Sequence, residues 1–186
     1  MAQTPSNMLP LGTVAPEFTL PNVVDNTSFH LTKMEDAQAY LVMFICNHCP
    51  FVVHVLDEIV SLTSEYKSKG VVSVAISSND VTNYPDDDPG KMRALARENN
   101  FSFPYLYDES QEVAKSYQAA CTPDFYVFNN QMECVYRGRM DESRPKNSIP
   151  VTGKDLRNAL DAVISGQTVS SEQFPSIGCN IKWKSH

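Results

Sequence analysis

Two cysteines separated by two residues stand in "ICNHCPF", Ile45 to Phe51. Sulfurs at this spacing do one of three things: cycle between dithiol and disulfide, supply half of a metal site, or sit as inert core thiols. Asn47 and His48 fill the gap between them, and Pro50 follows directly. Cys121, Cys134 and Cys179 are isolated, so no second pair completes a zinc knuckle. Five cysteines are an odd number, which excludes a fully paired secreted framework and fits a reducing compartment.

The elements around the pair decide what it can do. "AYLVMFI" is a continuous apolar run of strand length, the pattern of a strand buried on both faces. After the cysteines, Val52, Val55, Leu56, Ile59, Leu62 and Tyr66 recur at helical spacing until "KSKG", where Gly70 suits a helix C-terminus. "VVSVAIS" (71–77) is a second buried strand, so the three segments form a right-handed βαβ unit. The pair thus falls where a buried strand gives way to a helix. There, free N–H groups and the helix dipole favour a thiolate. This reading places Cys46 at the helix entry as the accessible, low-pKa thiol and Cys49 a turn inside. His48 adds positive charge that depresses Cys46 further.

Further along, "DDDPG" reads as a helix start, with Asp88 as cap, Pro89 opening the helix and the acids favouring its dipole. That reading outweighs a metal site. "FPYLYD" reads as a short strand, "SQEVAKSYQA" as a short helix, and "DFYVFN" and "ECVYRGR" as a hairpin split by "NNQ". A final helix covers about 153–165, and the tail "SSEQFPSIGCNIKWKSH" has no clear period. At the N-terminal end, "APEFTLPNVVDNTSFHL" predicts a hairpin near Phe18–Leu20 and Ser28–Leu31. The expected fold class is α/β, with one central mixed sheet, helices on both faces and an N-terminal hairpin extension. Residues 1–186 form a single domain, with 1–38 as the extension and 166–186 as a tail packing on the domain.

A net charge of −7 without a basic cluster argues against nucleic acid as a partner. The longest apolar run is far short of the ~20 residues a membrane span needs, and the first residues lack the basic start of a signal peptide. A soluble, cytoplasmic protein with no membrane partner is expected.

"GTVAPEFTLPNV", "CNHCP", "CTPDFYVFN", "YRGRMDESRP" and "PSIGCNIKWK" together resemble the thioredoxin-fold superfamily. Within it they are similar to the peroxiredoxin-like (AhpC/TSA- and TlpA-like) branch, and the resemblance covers nearly the whole chain. It implies that Cys46 and Cys49 are the redox pair and that Pro123 is a cis-proline opposite them, with Thr122 offering main-chain hydrogen bonds to an extended substrate. Asn47 and His48 stand where thioredoxins carry Gly-Pro, and Tyr40 where they carry a buried acid, so the proton acceptor for Cys49 is unidentified. The proline and threonine that peroxiredoxins place ahead of their reactive cysteine would fall at Val42 and Cys46, and neither matches.

The expected activity is thiol–disulfide exchange through Cys46 and Cys49, without an organic cofactor or metal. Its substrates are disulfide-containing proteins or small thiols, and an unidentified reductant restores the dithiol. Two alternatives stand beside it. One is a thiol peroxidase that passes through a sulfenic acid. The other is a metal-binding protein using Cys46, Cys49 and a histidine. Cys121 and Cys179 are possible additional thiols, the first beside Pro123 and the second in the tail.

Overall fold

The run from Ala39 to Phe44 lies at the centre of the molecule, and every side chain in it is shut off from solvent. Burying a large apolar side chain in this way stabilises by roughly 1.5–3 kcal/mol. The structure, a computed structural model, describes residues 3–185; residues 1, 2 and 186 of the expected domain lie outside the described residues.

In chain order the elements begin with β1 (Gln3–Pro5), β2 (Phe18–Pro21), β3 (Ser28–Leu31), β4 (Ala39–Phe44), α1 (Pro50–Lys67) and β5 (Val71–Ser77). A single 3-10 turn (Pro85–Asp87) leads into α2 (Pro89–Glu98), β6 (Tyr105–Tyr107) and α3 (Glu112–Ser116). Then come β7 (Cys121–Thr122), β8 (Asp124–Asn129), β9 (Cys134–Gly138), α4 (Lys154–Ile164) and β10 (Ile177–Asn180).

Five strands form the central sheet in the order β6-β5-β4-β8-β9. β4 runs parallel to β5, with Phe44 opposite Ile76, and antiparallel to β8, with Phe44 opposite Asp124. The sheet is therefore mixed, as the sequence predicts. Alternation along β4 separates two cores. Leu41 and Met43 pack with residues of α1, α2 and α4, whereas Tyr40, Val42 and Phe44 face the β2–β3 hairpin, α3 and Tyr117. Helices thus cover both faces, the three longer ones sharing one side. No helix among the described residues is long and apolar enough to cross a membrane.

Two placements differ from expectation. Helix α1 begins at Pro50, so Cys49 is its N-cap, with φ −71° and ψ 120°, and Cys46 lies ahead of the helix. The cause is local: a residue before proline is driven out of the helical region, and proline suits the first helical position. The aperiodic tail also contains a strand. β10 pairs with β7 on one edge and with β1 on the other, in a separate three-stranded sheet. Four residues including a glycine are too few to show a period. Asp88 does cap α2, accepting from Gly90 and Lys91 N–H groups.

Candidate active site

The two cysteines of the motif meet at the C-terminal end of β4, beneath the loop that carries Thr122 and Pro123. The Thr122–Pro123 peptide is cis. Thr122 reaches both sulfurs: its hydroxyl lies 3.3 Å from Cys46 Sγ and its carbonyl oxygen 3.2 Å from Cys49 Sγ. Cys46 is 1% exposed and Cys49 0%. Neither is the accessible thiol expected for Cys46.

One proton fewer than two can be shared by this pair in either of two ways. With the anion on Cys49, its sulfur accepts from the Cys46 thiol, the Cys179 thiol and the N–H groups of Val52 and Cys179. The Thr122 carbonyl oxygen, which would rather accept an S–H, opposes this arrangement. With the anion on Cys46, the Thr122 hydroxyl can donate to it, but the Asp87 carboxylate repels it. Four donors and a helix start favour the first arrangement. Cys49 is accordingly lowered to about 5, chiefly by the hydrogen bond from Cys46 and against the cost of burial. Cys46 is pushed up by donating that bond, by burial and by Asp87. The sequence points to Cys46 as the low-pKa thiol, whereas the donors around this pair gather on Cys49.

Asp87 is the residue the sequence reading missed. It is fully buried, and its two carboxylate oxygens are shared out around the motif loop. Oδ1 accepts Asn47 N–H at 2.7 Å and Oδ2 accepts Asn79 Nδ2 at 2.7 Å. His48 Nδ1 also lies 2.7 Å from Oδ2, in an ion-pair contact without hydrogen-bond alignment. Asn47 is held at every polar atom of its side chain, by Asp86 O and by Tyr105 OH. His48 stacks flat over Tyr84, with rings 3° from parallel. The signal for Asp87 was the surplus in "DDDPG", where a helix cap needs one aspartate and the chain supplies three.

Cys46 Sγ, an imidazole nitrogen of His48 and an Asp87 oxygen all lie within 4.8 Å of one another. Sulfur, nitrogen and oxygen donors in such a group are of the kinds zinc accepts. This is a different set from the Cys46, Cys49 and histidine of the metal-binding alternative.

The remaining cysteines divide. Cys179 packs in the same buried cluster as Cys49, and its own thiol is pushed up to about 12 by burial and by the neighbouring Cys49 sulfur. Cys121 turns to the Pro123 carbonyl oxygen, 3.8 Å away, and burial pushes its thiol up. Cys134 is buried in the other core and raised to about 11 by burial. Asp124, beside the cis peptide, is a second buried acid. It accepts from Ser6 Oγ and Tyr126 OH, yet burial raises it to about 7. A groove of about 480 Å³ lined by Met34, Lys67, Gly70 and Phe103 lies at the opposite ends of β4 and β5 and gives no approach to the thiols.

No curated protein matches the chain. Among solved structures, it is similar to an uncharacterized conserved protein from Geobacillus kaustophilus, at 55% identity and TM-score 0.97, over 100% of this chain and 98% of that one. A hypothetical protein from Sinorhizobium meliloti shares 44% identity at TM-score 0.95, over 98% of this chain and 100% of that one. The thioredoxin fold is shared with a thiol:disulfide interchange protein of the thioredoxin family from Chlorobium tepidum, at 16% identity and TM-score 0.63, over 82% of this chain and 97% of that one. The AhpC/TSA family model matches residues 11–137, more than half of the sequence, and the chain belongs to the AhpC/TSA family.

Proposed function

We propose that the protein is a thiol–disulfide oxidoreductase whose reactive pair is Cys46 and Cys49. The observation that carries this reading is that Thr122, next to the cis-proline, touches the sulfurs of both Cys46 and Cys49. Cys49 thiolate attacks one sulfur of a substrate disulfide, forming a mixed disulfide and releasing the first substrate thiolate. Cys46 then loses its proton and attacks the Cys49 sulfur, forming the Cys46–Cys49 disulfide and releasing the second substrate thiolate. Two electrons pass to the substrate, and a small thiol or a reduced dithiol protein returns them. Substrates are disulfide-bearing proteins or small disulfides, and no organic cofactor enters the cycle.

Equilibration in glutathione buffers tests this reading. The Cys46–Cys49 disulfide is expected to form with a potential between those of thioredoxin, about −270 mV, and DsbA, about −120 mV. The reduced protein is expected to cleave insulin disulfides. Failure to form that disulfide at any glutathione ratio would sink the proposal.

A second reading is favoured by the thiolate at the cap of α1, directly ahead of Pro50. Attack of Cys49 on a peroxide oxygen would leave a sulfenic acid and an alcohol or water. Cys46 would then displace water to give the same disulfide. Peroxide consumption coupled to a thiol donor separates this reading from the first, and metal content of the purified protein tests the donor group at Cys46, His48 and Asp87.

A further inference from the structure

The tail strand lies directly over the reactive pair. In β10, Cys179 stands opposite Thr122, the residue that touches both sulfurs of the motif. Gly178 approaches so closely that a Cβ there would fall 1.9 Å from the Thr122 carbonyl oxygen. On the other edge, Gln3 of β1 stands opposite Cys179, and Ser6 ties the two segments by accepting Ser176 N–H at 2.8 Å. Beyond β10, Ile181 donates to Ala120 O, while Lys182 N–H donates to Asn79 Oδ1. Cys179 is thus pinned from both sides, opposite the residue whose carbonyl oxygen takes Cys49 Sγ and in the same core cluster as Cys49, and it is 3% exposed.

Resting on the proposed dithiol chemistry, we propose that Cys179 is a third exchanging thiol, and that the oxidised protein partitions between a Cys46–Cys49 and a Cys49–Cys179 disulfide. In the exchange, Cys179 loses its proton and its thiolate attacks the Cys49 sulfur of the first disulfide. The Cys49–Cys179 bond forms, the Cys46–Cys49 bond breaks, and Cys46 leaves as a thiolate that takes up the proton. One disulfide replaces another, so no external oxidant or reductant is required.

The chemistry favours this step in the oxidised state. Apart from burial, the groups that hold the Cys179 proton are the hydrogen bond to Cys49 and the charge on that sulfur. Both vanish once Cys49 is in a disulfide. Lys182 lies near enough to favour the Cys179 thiolate. The product has two properties the first disulfide lacks: Cys46 is again a free thiol, and β10 is covalently fastened to the start of α1. A protein disulfide reaching Cys49 must displace the strand that carries Cys179, so this bond closes the site against further exchange until it is reduced.

Cys46→Ser and Cys179→Ser variants of the full chain, equilibrated with oxidised glutathione and mapped by non-reducing peptide mass spectrometry, test the proposal. In Cys46→Ser, the expected result is an intramolecular Cys49–Cys179 link in the monomer, with loss of both thiols from the free-thiol titration. Wild type is expected to show both disulfides at a ratio independent of oxidant concentration. A Cys46→Ser protein that retains its native circular dichroism but carries only glutathione on Cys49, or leaves Cys179 free, overturns the inference. Cys179→Ser isolates the Cys46–Cys49 couple. If it forms that disulfide while Cys46→Ser forms none, only the third-thiol inference falls. If it forms none, the dithiol proposal falls as well.

Discussion

Asp87 Oδ1 accepts the main-chain N–H of Asn47 at 2.7 Å, so a fully buried carboxylate holds the middle of the motif loop. Its charge stands beside Cys46 and raises that thiol, whereas Cys49 gathers the donors. One residue therefore does two things: it fixes the loop, and its charge adds to the groups that disfavour a thiolate on Cys46.

Asp87→Asn separates these roles, because an amide oxygen still accepts the Asn47 N–H but carries no charge. The ratio of Cys49 to Cys46 alkylation at mildly acidic pH should fall by about an order of magnitude, the effect of ~1.4 kcal/mol. The stability cost should be about 1–3 kcal/mol, as expected for a weakened buried hydrogen-bond network. An unchanged labelling ratio would remove the electrostatic role.

Wild-type alkylation should follow Cys49. Its rate should rise through a pH of about 5 and then level, with Cys49 labelled before Cys46. Stability of the reduced protein follows from the same shift. Between about 5 and the ordinary thiol value of 9.0, the unfolded chain holds a proton on Cys49 that the folded chain lacks. This contribution to stability therefore rises with pH across that window and is lost as pH falls through 5. Prior labelling of Cys46 would reverse the two roles.

Asp124 has the opposite sign. Its folded carboxyl titrates at about 7 against 3.8 in an unperturbed chain, because burial disfavours the charge. The folded state holds the proton that the unfolded state gives up, so stability from this group declines as pH rises from 3.8 to about 7. Asp124→Asn should flatten that decline in urea unfolding measured across the same range. A decline identical to wild type would show that another group causes it.

Gly178→Ala should loosen the tail, since the added methyl meets main-chain atoms of Thr122 that cannot swing aside. Overpacking of this kind costs about 1–3 kcal/mol. Alkylation of Cys49 should accelerate, and the fluorescence of Trp183, which follows β10 and is partly exposed, should shift. Unchanged thiol reactivity would mean that β10 does not control access.

Much of this was legible in the residues. The βαβ unit showed itself because the buried strands are continuous apolar runs and the helix repeats its apolar face. The motif and the cap at Asp88 each carried a local chemical signature, whereas the cis-proline was legible only through the family resemblance. Pro50 does more than open the helix: it sets the extended backbone of Cys49 and so makes that residue, rather than Cys46, the cap of α1. Asp87 and β10 escaped for another reason. Asp87 meets the motif across a gap of forty residues, and β10 meets Thr122 across a longer one. Contacts at such separation leave no period or spacing in the sequence.

The cover over the sulfurs has a consequence for the order of assembly. β1 and β10 pair Gln3 with Cys179, at opposite ends of the described chain, and their sheet shares no strand with the five-stranded one. Closing so long a loop costs more chain entropy than forming the βαβ unit, whose strands are neighbours in sequence. The dithiol is therefore built early, by short-range contacts, and roofed late. The same separation means that β1 and β10 can part from the site without breaking any strand pairing of the five-stranded sheet beneath.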